Sequence, residues 1–370
     1  MNLQKVSIIT ALFFIFMTFS CCIHEKAEDT AKSQGEKPVN NMQAQVYTFE
    51  SPQANQTFSP EANILIRIKK KDSAVSADSI TFFLDGKVAG RISGGVIETN
   101  IVSKVNKPGI IRLRLTAYFT GGKSESTSIP LRFLSDIKPK QFTYRVLGTF
   151  PHDKRAYTQG FEYHDGYFLE GTGQLGQSSL RKITPGTGDI IKSRTLSSDL
   201  FGEGITMLNG KIYQLTYRSQ VGFIYDAESF EQIQKFFYQN LEGWGLTNDG
   251  SQIIMSDGTN GIYFIDPQYF TVNRKIEVYN NFSEVDSLNE LEYIDGKLYA
   301  NRYMTDEIVI IDPSNGKVTG IVDMRGLLKP EDRHDYIDVL NGIAWDKDQK
   351  RLFVTGKNWP KVYRVELLEK

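Results

Sequence analysis

Two periodicities divide the chain. From Gln45 to about Asp136, apolar and polar residues alternate in short runs, as in Ile64-Leu65-Ile66-Arg67-Ile68, Ser79 to Leu84, and Ile110 to Ala117. Turn residues such as Asp85-Gly86 and Gly121-Gly122 separate them. Alternation of period two marks half-buried strands. About seven such runs, with no helical stretch between them, predict a small immunoglobulin-like β-sandwich over residues 45–136. This region shows no cluster of His, Asp and Glu and no Gly-rich phosphate loop, so it reads as a spacer or interaction module.

From Tyr144 onward a longer period takes over. The segments starting Gln159-Gly160-Phe161, Glu203-Gly204-Ile205, Trp244-Gly245-Leu246, Asn289-Glu290-Leu291 and Asn341-Gly342-Ile343 are copies of one phrase. Their anchors at 160, 204, 245, 290 and 342 lie 44, 41, 45 and 52 residues apart. Asp165-Gly166, Asn209-Gly210, Asp249-Gly250 and Asp295-Gly296 follow the first four, and such pairs between strand-like runs signal tight hairpins. Later in the copies come Phe223-Ile224-Tyr225-Asp226, Tyr263-Phe264-Ile265-Asp266 and Val309-Ile310-Ile311-Asp312. A repeat of about 40–50 residues carrying several strands is the signature of a β-propeller. The expected fold is therefore all-β: a five-bladed β-propeller over residues 142–370, preceded by the sandwich. The last copy ends about one strand short, and Phe142 to Leu147 is placed to supply that strand and close the ring. The longest interval holds a charged insertion, Arg325 to Asp338, expected to fold over one face.

Charge and composition narrow the function. Lys and Arg number 43 against 44 Asp and Glu, a net charge of −1, without the basic excess of a nucleic-acid-binding protein. The two cysteines are adjacent, Cys21 and Cys22, so nothing downstream can form a disulfide or a thiolate metal site. His24, His152, His164 and His334 are scattered, which argues against a zinc hydrolase. At the N-terminus, Lys5 precedes an apolar run from Val6 to Phe19, too short for a permanent span and suited to a signal-peptide core. The cysteine after that core resembles a bacterial lipoprotein site, with Cys21 as the lipidated residue and Cys22 as the other candidate. An ordinary secretory signal ending near cysteines is the alternative. On the first reading residues 1–21 are a signal peptide, residues 22–44 a polar tether, and the protein is exported and lipid-anchored to the cell envelope, facing the periplasm or the surface.

Propellers hold ligands where their innermost strands begin, at the mouth of the central channel. The residues that differ among the copies converge there: Gln159, Glu203, Trp244 and Asn289, with Lys357 from Val354-Thr355-Gly356-Lys357-Asn358-Trp359-Pro360. An acid, a base, two amides and an indole can do proton chemistry. Equally, Glu203 and Lys357 can form a buried salt bridge while the amides satisfy backbone groups.

Six motifs, in order and at blade spacing, resemble the plant-type glutaminyl cyclases. They are Tyr157-Thr158-Gln159-Gly160-Phe161, Phe201-Gly202-Glu203-Gly204-Ile205, Glu242-Gly243-Trp244-Gly245-Leu246, Leu288-Asn289-Glu290-Leu291-Glu292, Leu340-Asn341-Gly342-Ile343-Ala344-Trp345, and the Lys357 motif. The resemblance runs from Tyr144 to the C-terminus. It implies a five-bladed propeller that converts the N-terminal glutamine of peptides and proteins to pyroglutamate with release of ammonia, and it implies no required cofactor or metal. The residues themselves do not reveal whether a structural calcium is present. By the resemblance Glu203 is the proton shuttle, and Lys357 and Asn289 hold it and stabilise the oxyanion. Gln159 binds the substrate, and Trp244 walls the glutamine pocket. Tyr217 and Tyr303 stand where Trp is expected in plant members, and Phe201 and Tyr157 line the same mouth.

Gly171-Thr172-Gly173-Gln174-Leu175-Gly176 matches a dinucleotide-binding pattern, but Ser178 to Ile183 reads as a strand where such a site needs a helix. Two rival functions remain at this level. One is a non-catalytic cell-envelope propeller that binds peptide or glycan. The other is a propeller lyase or lactonase with a metal on Glu203, Asn289 and Glu290, which the nearby Lys357 would oppose.

Overall fold

The structure, a computed structural model, describes residues 46–71 and 74–370. The expected signal peptide, tether and Cys21 lie outside these residues.

Eight strands come first: β1 (Tyr47–Ser51), β2 (Thr57–Phe58), β3 (Asn63–Lys70), β4 (Ser79–Leu84), β5 (Lys87–Ser93), β6 (Glu98–Val102), β7 (Gly109–Phe119) and β8 (Lys123–Phe133). They form a three-stranded sheet, β1-β3-β6, and a five-stranded sheet, β2-β8-β7-β4-β5. The alternation read from the sequence is what buries them. Ile64, Ile66 and Ile68 of β3 and Ile111, Leu113, Leu115 and Ala117 of β7 enter one shared core with Phe82 and Phe133.

Strand β9 (Lys140–Pro151) leads into four blades of four strands and a fifth that borrows β9. The blades are β10 (Thr158–His164), β11 (Tyr167–Thr172), β12 (Ser179–Ile183), β13 (Ile190–Thr195); β14 (Gly202–Leu208), β15 (Lys211–Thr216), β16 (Val221–Asp226), β17 (Gln232–Phe237); β18 (Leu246–Asn248), β19 (Ile253–Ser256), β20 (Gly261–Ile265), β21 (Val272–Glu277); β22 (Leu288–Ile294), β23 (Lys297–Arg302), β24 (Glu307–Ile311), β25 (Val318–Asp323); and β26 (Leu340–Asp346), β27 (Arg351–Gly356), β28 (Lys361–Glu369). Strand β9 runs antiparallel to β28 from Phe142 to Pro151 and completes the fifth blade. Its first residues also pair, in parallel, with β25 of the fourth blade. The closure expected from Phe142 to Leu147 is thus present and longer than predicted.

Local chemistry explains the blades. Asp165-Gly166, Asn209-Gly210 and Asp295-Gly296 all have positive φ at both positions, the geometry of a two-residue hairpin matched to strand twist. The inner strands approach so closely that a Cβ on Gly160 would lie 2.4 Å from the Ile205 nitrogen, and one on Gly204 2.5 Å from the Leu246 nitrogen. The glycine anchors of the repeat are the result. Between neighbouring blades lie apolar cores, such as Phe161, Phe168, Phe353 and Val362 joining the first blade to the fifth. The propeller is met by β7, whose Ile110 N–H donates to Glu277 Oε2 (2.9 Å), and by the segment after β8, where the Ser135 N–H donates to Asn280 O (3.0 Å) and Asp136 pairs with Lys317 (2.7 Å).

Candidate active site

The second residues of β10, β14, β22 and β26 are Gln159, Glu203, Asn289 and Asn341, and Trp244 stands just ahead of β18. These five positions begin the innermost strands, so the repeat carries them to one end of the channel. Gln159, Glu203, Asn289 and Asn341 are at most 4% exposed. Gln159 donates from Nε2 to Glu203 Oε1 at 3.0 Å. Its own Oε1 accepts from Asn341 Nδ2 at 3.4 Å, and Asn341 Nδ2 also donates to the Thr158 carbonyl at 2.9 Å. This relay orients the amide of Gln159, turning its N–H toward the carboxyl group. The second oxygen of Glu203 has no hydrogen-bond partner among the described residues.

Burial drives the proton affinity of Glu203 well above the ordinary carboxylate range; Lys357 pulls it back and Glu242 adds repulsion. Lys357 lies just past β27, not within it, and is 3% exposed. Burial lowers its proton affinity, while Glu203 and Asp338 work the other way. Among the described residues no ion pair within 4.0 Å joins Lys357 to Glu203, so the buried salt bridge allowed by the sequence is not formed. Lys357 and Asn289 do not hold Glu203 by hydrogen bonds either; that part falls to Gln159, the residue expected to bind substrate. Asn289 shares the tier, and its buried Oδ1 has no hydrogen-bond partner among the described residues.

A closed circuit of contacts rims these groups. Tyr157 meets Phe201 edge-on at 6.1 Å between ring centroids, and Phe201 meets Tyr217 at 5.8 Å. The Arg218 guanidinium lies over the Tyr217 ring at 4.6 Å and pairs with Glu242 at 2.7 Å, and Glu242 Oε2 accepts from Trp244 Nε1 at 2.9 Å. Trp244 stands edge-on to Tyr303 at 5.4 Å, and the Lys357 ammonium lies 5.1 Å from the Tyr303 ring and 4.8 Å from that of Tyr157. A cation between two aromatic faces is held without a partner charge in contact. Burial, and after it the charge of Asp338 at the end of the charged insertion, raises the proton affinity of the Tyr157 hydroxyl. The Asp338 N–H donates to the Lys357 carbonyl at 3.1 Å, so the insertion runs along this rim, as expected of it.

Three residues of this arrangement were missed in the sequence. Asn341 stands in the repeat register, where its position was visible. Glu242 opens the third motif at the register of Tyr157 and Phe201, and Asp338 ends the charged insertion; neither position reveals which atoms the carboxylate meets.

Further along the channel Glu290 occupies the place that glycine takes in the other copies. Its Oε1 accepts the Phe161 N–H at 3.0 Å and its Oε2 the Ile343 N–H at 2.9 Å, tying three blades together. Glu292 accepts the Trp345 N–H and Glu162 the Met207 N–H, each at 2.9 Å. Glu290 is therefore occupied by backbone and does not join Glu203 and Asn289 in the ligand set imagined for a metal-dependent propeller. The glycine-rich stretch 171–176 ends β11 and is followed by strand β12, as the sequence implied.

Comparison with known proteins bears on this site. A family model described as glutamine cyclotransferase matches residues 116–367. The glutaminyl-peptide cyclotransferase of Arabidopsis thaliana is 39% identical over 265 residues, which is 70% of this chain and 80% of that protein. The crystal structure of Myxococcus xanthus glutaminyl cyclase superposes with a TM-score of 0.59 at 29% identity, covering 63% of this chain and 100% of that one.

Proposed function

The chain belongs to the glutamine cyclotransferase family, and from that premise we propose how its mouth works on the N-terminal glutamine of a peptide. The α-amine attacks the γ-carboxamide carbon of the same residue, forming the lactam C–N bond. Because both groups belong to one residue, the protein's task is to fold the side chain back and to move protons. Glu203 takes the proton released by the attacking amine and gives it to the departing nitrogen, so that the γ C–N bond breaks with ammonia as the leaving group. The product is pyroglutamyl peptide, and the carboxyl group ends as it began. Lys357, a cation with no contact charge, faces the negative charge that builds on the tetrahedral oxygen. Asn289 stands in the same tier to share that task, and Trp244, Tyr303, Tyr217, Phe201 and Tyr157 enclose the glutamine side chain. These steps require no metal or cofactor.

One observation carries this reading: a buried carboxyl group with raised proton affinity, held on one oxygen by Gln159 and unbonded on the other. The test is incubation with a Gln-initiated peptide, with and without a chelator, followed by mass spectrometry. Chelator-resistant loss of ammonia that disappears in Glu203→Gln is expected. A folded protein that turns over no Gln peptide would transfer the mouth to peptide or glycan binding. Lipidation at Cys21, with export to the cell envelope, belongs to the same proposal. A lipid label that is incorporated by the wild type and lost in Cys21→Ser would support it.

A further inference from the structure

Glu203 lies at the floor of the mouth, and both the α-amine and the side-chain amide of a substrate must reach it. The rest of the polypeptide then has one exit, over the rim. Strand alternation puts segments 173–178, 238–245, 303–306 and 324–339 at that end of the channel, because each joins a strand running toward the mouth to one running away from it. They carry the exposed side chains Leu175, Leu241, Met304 and Tyr336, the last three 70–82% exposed. Three adjoin the rim circuit directly. Leu241 precedes Glu242, the anchor of Trp244; Met304 follows Tyr303; and Tyr336 is two residues from Asp338, whose backbone N–H donates to the Lys357 carbonyl. The inner hairpin turns ringing the opposite end, Asp165-Gly166, Asn209-Gly210, Asp249 to Gln252, Asp295-Gly296 and Asp346 to Lys350, hold no large apolar side chain. The outer turn between β20 and β21 at that opposite end does expose Tyr269 (69%), but the apolar groups at the mouth lie in the segments that substrate must pass, and exposed apolar groups beside a cleft mark a binding surface.

We propose that Leu241, Met304 and Tyr336 form an apolar collar that binds the residues following the N-terminal glutamine, so that the preferred substrates are polypeptides with apolar side chains at positions two and three. The proposal rests on the cyclisation reading above. Leu241 and Met304 flank the Trp244–Tyr303 wall, and Tyr336 continues the collar toward Lys357. Free glutamine, which has nothing to lay across this surface, gains nothing from it.

The experiment compares kcat/KM for Gln-Leu-, Gln-Glu- and Gln-Lys-initiated peptides and for free glutamine, on the wild type and on Leu241→Glu combined with Met304→Glu. Partial burial of one aliphatic side chain predicts a wild-type preference for Gln-Leu over Gln-Glu of about fivefold, expressed mainly in KM. The double variant should lose that preference and favour Gln-Lys, a gain that misfolding cannot produce. Equal kcat/KM whatever the second residue, or a Gln-Leu preference that survives in the variant, would overturn the collar while leaving cyclisation intact. No turnover of any peptide by the wild type would overturn the cyclisation reading, and the collar with it.

Discussion

Glu203 and Glu290 are both carboxyl groups buried along one channel, and burial raises the proton affinity of each well above the ordinary range. Their surroundings separate them. Glu290 spends both oxygens on backbone N–H groups of the first and fifth blades, and its partners are fixed parts of the ring. Glu203 spends one oxygen on a side-chain amide and keeps the other unbonded, within an aromatic rim and near a cation that it does not touch. A raised proton affinity is therefore no sign of catalysis by itself. What distinguishes a proton shuttle from a structural strut is an oxygen left without a partner and turned to a space that substrate can enter.

The largest expected effect sharpens this contrast. Glu203→Gln should lower kcat by about 10²–10⁴ with a fold unchanged by circular dichroism, since the new amide can still accept from Gln159. Its stability should also respond to pH in a definite direction. A carboxyl group whose proton affinity is raised by folding contributes stability that is fully present below the unfolded value, 4.5, and is lost as pH rises through the folded one. Removing it relieves that loss, so the melting temperature of Glu203→Gln relative to wild type should climb as pH rises above 4.5. Thermal unfolding at several pH values reads this directly, and a gap independent of pH would place Glu203 outside the buried titrating set.

Lys357→Met comes next. Loss of one charged group facing the oxyanion costs about 10²–10³ in kcat. It also removes the cation that holds down the proton affinity of Glu203, so the acidic limb of the pH–rate profile should move to higher pH. A fall in kcat with an unmoved limb would detach Lys357 from Glu203. Glu290→Gln should behave in the opposite way. An amide has one acceptor to offer two backbone N–H groups, and leaving one of them unpaired costs about 1–3 kcal/mol. The variant should melt lower yet keep most of its kcat. If it instead lost turnover at full stability, the distinction between shuttle and strut would fail.

The sequence carried most of this architecture because the determinants repeat. Asp-Gly and Asn-Gly turns and the glycine anchors set the blade spacing, and that register delivered Gln159, Glu203, Trp244 and Asn289 to one tier. In the first region, β2 spans two residues and pairs in parallel with β8, so it has no alternation to read; eight strands stand where about seven were expected. Register fixes the tier of a residue but not the reach of its side chain. The hydrogen bond from Gln159 to Glu203, and the lack of an ion pair between Glu203 and Lys357, therefore could not be read. Glu290 was visible as an exception among the glycine anchors, but which atoms its carboxylate meets depends on the neighbouring blades. Glu242 shares the register of Tyr157 and Phe201, but that register does not reveal its bond to Trp244, and Asp338 acts from a segment of irregular length where neither period applies.

The smallest effect tests how finely the mouth is set. Asn341 touches neither Glu203 nor the rim, yet its Nδ2 faces the carbonyl oxygen of Gln159 and so decides which end of that amide meets the carboxyl group. In Asn341→Ala the donor is gone, and Gln159 is free to turn its carbonyl toward Glu203. That arrangement repels a carboxylate and favours a protonated carboxyl group, so the acidic limb should shift to higher pH, in the same direction as for Lys357→Met but by less. One neutral hydrogen bond is worth about 0.5–1.5 kcal/mol, which corresponds to a loss in kcat/KM of about twofold to tenfold. Asn341→Asp sharpens the test: its carboxylate can still accept but no longer donate to Gln159, so its limb should also move upward. A structural role alone would lower the melting temperature of both variants and leave the limb in place. Glu203 would then owe its poise to burial and Lys357, with Gln159 only passively in contact.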